Sequence, residues 1–81
     1  MKFRFTAKAE RDYEILSPAL QVRVDKQLAL LLQNLRHPSL RAKKYDEQQD
    51  IWQARVNDNY RFYFQIEGDT YSILAIIPHP K

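Results

Sequence analysis

The stretch from Ile51 to Phe64, IWQARVNDNYRFYF, leaves the rest of the chain few options. Ile51 to Val56 alternates apolar and polar residues, with Trp52, Ala54 and Val56 on one side. Tyr60 to Ile66 repeats the pattern with Tyr60, Phe62, Phe64 and Ile66. A period of two marks a strand with one buried face. Between the runs, Asn57, Asp58 and Asn59 tolerate left-handed backbone angles and bond to their own main chain, so the spacing predicts a tight hairpin turn. The same period sends Gln53, Arg55, Arg61, Tyr63 and Gln65 to the opposite face. One face buries a core. The other carries two guanidinium groups, whose planar fork matches phosphate.

A chain of 81 residues allows a single domain spanning 1–81. At this length folding buries on the order of 60–65% of the unfolded surface, so stability is modest. No cysteine is present, so neither a disulfide nor a thiolate-held metal reinforces the domain. The composition is 44% hydrophobic, which is enough for a core and far from a disordered chain. Thirteen basic and ten acidic residues leave a net charge of +3, which permits a nucleic-acid or acidic-protein partner without requiring one. The opening Met1-Lys2-Phe3-Arg4 is not followed by an apolar run, so neither a signal peptide nor a membrane span is expected, and the expected location is the cytoplasm.

Lys2 to Phe5 alternates charge and ring, as a short strand burying Phe3 and Phe5 would. Thr6 is an N-cap for a helix from Ala7 to about Leu16, with Ala9, Tyr13 and Leu16 on one side. Ser17-Pro18 restarts the chain as a second helix to about Leu35. Leu20, Val24, Leu28, Leu31 and Leu35 form its stripe, Leu32 widens it, and Leu30 sits at the edge of the core or faces a partner. His37-Pro38-Ser39 ends that helix. Arg36, Arg41, Lys43 and Lys44 then form a basic run without an acid, leading into a strand around Ala42 to Tyr45. After the polar loop 46–50 comes the hairpin, then a second turn at Glu67-Gly68-Asp69 and a last strand from Tyr71 to Ile77. The order β-α-α-β-β-β-β defines an α+β domain, a twisted, mostly antiparallel sheet with a helical hairpin on one face. The place of the first strand in that sheet cannot be read from the sequence.

This order, the segment Arg55-Val56-Asn57-Asp58-Asn59-Tyr60-Arg61-Phe62-Tyr63-Phe64 and the closing Ile76-Ile77-Pro78-His79 resemble the RelE/ParE superfamily of toxins from type II toxin–antitoxin modules. The resemblance covers nearly the whole chain and includes Arg36-His37-Pro38 before the basic strand. It implies a cytoplasmic toxin neutralised by a cognate acidic antitoxin, the complex binding operator DNA through the antitoxin. In the RelE-like branch it implies an endoribonuclease that cuts messenger RNA on the ribosome. No metal or cofactor takes part, since the 2′-hydroxyl attacks the adjacent phosphate. Such a step needs cations for the pentacovalent phosphate and groups to move two protons.

By that resemblance Arg61 stabilises phosphate, Arg55 is a second cation and His79 is the acid or base. Arg41, Lys43, Lys44, Gln53, Tyr63 and Lys81 contact RNA. Gln53 stands where members carry a basic residue, and it cannot ionise. Two other readings stay open: a ParE-like toxin that poisons gyrase, and an inert relic that only binds its antitoxin. Plain structural roles also stand beside these, namely ion pairs of Arg55 and Arg61 with Asp50, Glu67 or Asp69, a solvated 36–44 run and a solvated His79. Tyr60 and Tyr63 are the aromatics expected to stack on bases, whereas Trp52, Phe62 and Phe64 belong to the core. No metal-ligand spacing, glycine-rich loop or nucleophile motif is present.

Overall fold

A computed structural model describes residues 1–79, and Lys81 therefore lies outside the described residues. The elements follow the expected order: β1 (Lys2–Phe5), α1 (Ala7–Glu14), α2 (Pro18–Gln33), a 3₁₀ turn (Pro38–Leu40), β2 (Lys43–Asp46), β3 (Ile51–Arg55), β4 (Tyr60–Glu67) and β5 (Thr70–Pro78). The strands form one sheet in the order β1-β5-β4-β3-β2. Strands β2 to β5 make an antiparallel meander, and β1 joins parallel to β5, opposite β2. A parallel neighbour needs a long crossover, which α1, α2 and the meander supply.

Both helices start as the caps predict. The Thr6 hydroxyl accepts from the Ala9 N–H at 3.1 Å, and the Ser17 hydroxyl accepts from the Leu20 N–H at 3.3 Å. Both stop earlier than the apolar stripes do. In α1, Pro18 disfavours a helical Ser17, so the chain leaves the helix at Ile15. In α2, Asn34 is extended and its side-chain oxygen accepts from the Arg36 N–H at 2.9 Å, a local bond that competes with another helical turn. Among the described residues no helix is long and apolar enough to cross a membrane.

The core lies between the helical hairpin and one sheet face. Val24, Leu28 and Leu31 of α2 meet Ala54, Phe62, Phe64, Tyr71, Ile73 and Ile76. Leu30 is half-buried at its edge, whereas Leu32 is exposed and does not widen the stripe as expected. Gln27, a residue the apolar pattern gave no reason to bury, is fully enclosed. Its amide donates to Ser39 O at 3.1 Å and Arg55 O at 2.7 Å, tying α2 to the 3₁₀ turn and to the end of β3. The Arg23 Nε–H donates to Val56 O at 2.8 Å beside it. These bonds satisfy carbonyls where the sheet pairing stops.

The two helices are also pinned to each other by the Tyr13 hydroxyl, which donates to Asp25 at 2.8 Å. That bond, then burial, raises the phenol above its ordinary range. A raised folded-state value means the contribution is complete below the unfolded phenol value near about 10 and is lost as pH rises through the folded one. Tyr13→Phe is expected to cost no more than about 1 kcal/mol, because solvent screens the exposed pair. Thermal melts of the two proteins should differ at neutral pH and converge above the phenol titration.

Candidate functional site

The face of the sheet away from the helices carries the site, and the hairpin turn organises one end of it. Asn57 Oδ1 accepts from the Asn59 N–H at 2.8 Å and the Tyr60 N–H at 2.9 Å. The turn is thus closed by side-chain bonding, and none of its residues adopts the left-handed angles that its composition tolerates. Arg61 lies directly across from Arg55 on β3 and Ile77 on β5. Its guanidinium donates to Asn57 O at 2.5 Å and Tyr60 O at 3.0 Å, so its position is fixed by the turn it follows.

Arg61 lines a basic pocket of about 190 Å³ with Arg41, Lys43, Gln53 and His79. Three strands and two flanking segments contribute. Lys43 on β2 faces Gln53 on β3, which faces Tyr63 on β4. Arg41 follows the 3₁₀ turn in the left-handed region (φ 46°), the step that turns the chain into β2. His79 is held by its N–H bond to Asn59 O at 2.7 Å, so it is tethered to the hairpin turn rather than free in solvent. Its Nδ1 is buried with no hydrogen-bond partner among the described residues. An imidazole that lines a pocket with three cations can hold or deliver a proton at a bound phosphate ester.

Two of the expected cations stand apart. Arg55 shares a face with Arg61, but its Nη2 pairs with Asp58, three residues on, and it does not line the pocket. Asp58 is a different partner from the acids expected for it. Lys44 pairs with Asp50 and lies over the Trp52 ring at 5.0 Å, separated from Lys43 by the alternation of β2. Its ammonium is held above the ordinary lysine value chiefly by that bond to Asp50.

Next to the basic pocket runs a larger, mostly apolar groove of about 600 Å³, lined by Tyr45, Ile51, Tyr63, Leu74, Ala75 and Ile77 and sharing Gln53 and His79 with it. Tyr63 packs edge-on to Tyr45 at 4.9 Å between ring centres. Burial, then the nearby Tyr45, raises the Tyr63 phenol, against a weaker opposing effect of Arg61. Tyr63 is therefore a neutral donor at ordinary pH. Tyr60, the other aromatic expected to stack on bases, instead packs against the core.

A bulge in β5 decides which residues reach this face. Tyr63 pairs with Ala75 but Phe64 pairs with Ile73, which leaves Leu74 as an extra residue. A strict period of two from the buried Tyr71 and Ile73 would send Ala75, Ile77 and His79 into the core. The bulge reverses the parity, so Ile76 is buried and the other three line the groove. The outer edge of β5 is satisfied here by α1. Thr6 donates its N–H to Ile73 O at 3.0 Å and its hydroxyl to Leu74 O at 3.2 Å, and Asp12 accepts the Ile76 N–H at 3.0 Å. Asp12 also pairs with Lys8 one turn away, an ordinary surface arrangement, and only the tertiary contact to Ile76 exposes its role.

Asp12→Ala is expected to leave the Ile76 N–H unpaired, at a cost of about 1–3 kcal/mol. A chain of this size then melts lower by about 4–8 °C per kcal/mol. Asp12→Asn keeps an acceptor and should recover most of the loss. If all three proteins melt together, Asp12 does not support the bulge.

A small α+β domain with a basic pocket on an open sheet face has counterparts among solved structures. A YoeB/ParE toxin from Agrobacterium tumefaciens superposes with a TM-score of 0.85 at 14% identity, covering 99% of this chain and 100% of that one. The RelBE2 toxin–antitoxin complex from Mycobacterium tuberculosis gives 0.77 at 23% identity, with 96% of each chain covered. The isolated RelE toxin of E. coli gives 0.75 at 15%, covering 98% and 84%. Comparison with curated protein sequences yields no match. The profile of the ParE toxin of type II toxin–antitoxin systems, parDE, matches residues 3–80. The chain belongs to that family and is a type II toxin of the RelE/ParE superfamily.

Proposed function

We propose that this toxin is an endoribonuclease that cuts messenger RNA on the ribosome by 2′-hydroxyl attack. The observation that carries this reading is the basic pocket, which Arg41, Lys43 and Arg61 line together with the imidazole of His79. The RNA supplies its own nucleophile, so no metal-bound hydroxide has to be generated. The 2′-oxygen attacks phosphorus, the bond to the 5′-oxygen breaks, and a 2′,3′-cyclic phosphate forms beside a free 5′-hydroxyl. Arg61 stabilises the charge on the pentacovalent phosphate, and His79 gives its proton to the leaving 5′-oxygen. Lys43 and Arg41 hold the flanking phosphates. Gln53 orients the 2′-hydroxyl as a hydrogen-bond acceptor, and that hydroxyl's proton passes to solvent. Arg55, once released from Asp58, is a reserve cation on the same face, and Lys81 is a further phosphate contact. Lys44 is proposed only as a contact with RNA passing along the other side of β2.

The partner is an acidic antitoxin that neutralises the basic pocket and carries the complex to operator DNA. The structural neighbour from M. tuberculosis is itself a toxin–antitoxin complex. A toxin acting on the ribosome would do so in the cytoplasm.

The profile match to ParE and the non-ionising Gln53 favour a second reading, in which the toxin inhibits gyrase instead. Expression without the antitoxin, followed by mapping of messenger RNA ends and a reporter of DNA damage, separates them. New ends within translated codons are expected. Intact messenger RNA with an induced damage response transfers the assignment to gyrase, and neither response leaves an inert antitoxin-binding relic.

A further inference from the structure

The apolar groove is not used by the phosphate chemistry, yet it opens beside the basic pocket, and Gln53 and His79 form walls of both. Its rim is Tyr45, which keeps 61% of its surface exposed although it is a large aromatic residue. Tyr45 sits at the register shift of β2 between Lys44 and Asp46, and such a bulge re-aims a side chain. Here the ring turns toward Tyr63, its plane at 71° to that ring. The result is an aromatic corner over an apolar floor of Ile51, Ala75 and Ile77. At about 600 Å³ the groove falls within the range of small-ligand sites.

A nucleotide has the same bipartite character, an anionic phosphate joined to a flat, weakly polar base. A base attached to a phosphate held by Arg41, Lys43 and Arg61 meets this apolar groove across the shared Gln53 and His79. Gln53 is 93% enclosed at the junction, and the NH2 of its amide, the half not given to the 2′-hydroxyl, offers donors to a base edge. We propose that the groove is the base slot of the RNA site, with Tyr45 as its stacking wall and Gln53 reading the base edge. The inference rests on the RNA-cleaving reading for the chemistry of its ligand. The occupant is an unpaired base of single-stranded RNA, because the slot reaches a ring only when that ring is out of a helix.

The test measures binding, so it does not depend on turnover. A fluorescein-labelled 2′-O-methyl oligoribonucleotide, which lacks the nucleophile, is compared with an abasic strand of the same phosphate number. The unaltered toxin is expected to prefer the strand with bases by about 5- to 150-fold, the range of one base–aromatic stack. Tyr45→Phe should keep that preference and Tyr45→Ala should lose it, with both variants melting like the parent because the ring is exposed. Lys43→Ala should weaken both strands alike and flatten the salt dependence. Equal binding of the two strands by the parent, or an undiminished preference in Tyr45→Ala, overturns the slot. So does failure to bind either strand, which leaves the groove to a protein segment. A base preference without messenger RNA cleavage in cells upholds the slot and removes the nuclease assignment. Cleavage without a base preference removes the slot alone.

Discussion

Arg61→Ala is expected to yield a folded protein that no longer arrests growth, with RNA cleavage falling about 10²–10³-fold, the usual loss when one group stabilising transition-state charge is removed. The guanidinium is half-buried on the open sheet face and lines the basic pocket. Two turn carbonyls hold it, so it is positioned before any phosphate arrives. Such preorganisation separates a catalytic cation from one that merely raises local charge. The same bonds bound the structural cost. They lie at the surface end of a hairpin that Asn57 already closes, so their loss should lower stability by about 1 kcal/mol. Arg61→Lys should recover little, because an ammonium cannot hold the turn and grip phosphate in a planar fork together. Growth arrest and RNA cleavage measured beside a thermal melt decide the matter. A folded Arg61→Ala toxin that is as potent as the parent removes Arg61 from the mechanism.

Phe64→Ala is expected to have the largest effect on folding. Phe64 is fully buried at the centre of an aromatic cluster. Its ring lies 5.6 Å from Tyr71, 5.7 Å from Phe62 and 6.2 Å from Trp52. Truncation to alanine removes the transfer free energy of the ring and leaves a cavity that a two-layer domain cannot fully collapse, a loss of about 3–5 kcal/mol. Stabilities near 0.05–0.15 kcal/mol per residue give a chain of this length only about 4–12 kcal/mol in total. The variant should therefore unfold at a much lower denaturant midpoint with an unchanged slope, or fail to fold. Denaturant titration measures it. A midpoint close to the parent's means that the neighbouring rings fill the space.

These outcomes separate two kinds of information. The helix starts at Thr6 and Ser17, the hairpin turn at Asn57 and the apolar faces of β3 and β4 were legible because each depends on residues within a few positions of one another. Capping hydroxyls, Asx bonding and the period of two act locally, and the fold class follows from their order. The site was legible only in part. Gln53, Arg61 and Tyr63 share a face by alternation within one hairpin, so the pattern predicted their common side. Arg55 has the same parity yet pairs with Asp58, since alternation fixes the face a side chain takes and not the partner it finds there.

Residue order along the chain therefore determined the helices, the strands and the polar face of the central hairpin. The tertiary structure alone decided that β1 runs parallel beside β5, that Gln27 is buried, and that His79 lines a pocket with Arg61 instead of joining the core. That last outcome depends on one extra residue at Leu74, stabilised by Thr6 and Asp12 from more than sixty positions away. Strand parity is a local property only while pairing is regular. Once the sheet edge finds hydrogen-bond partners on a distant helix, those contacts choose which face the rest of the strand presents.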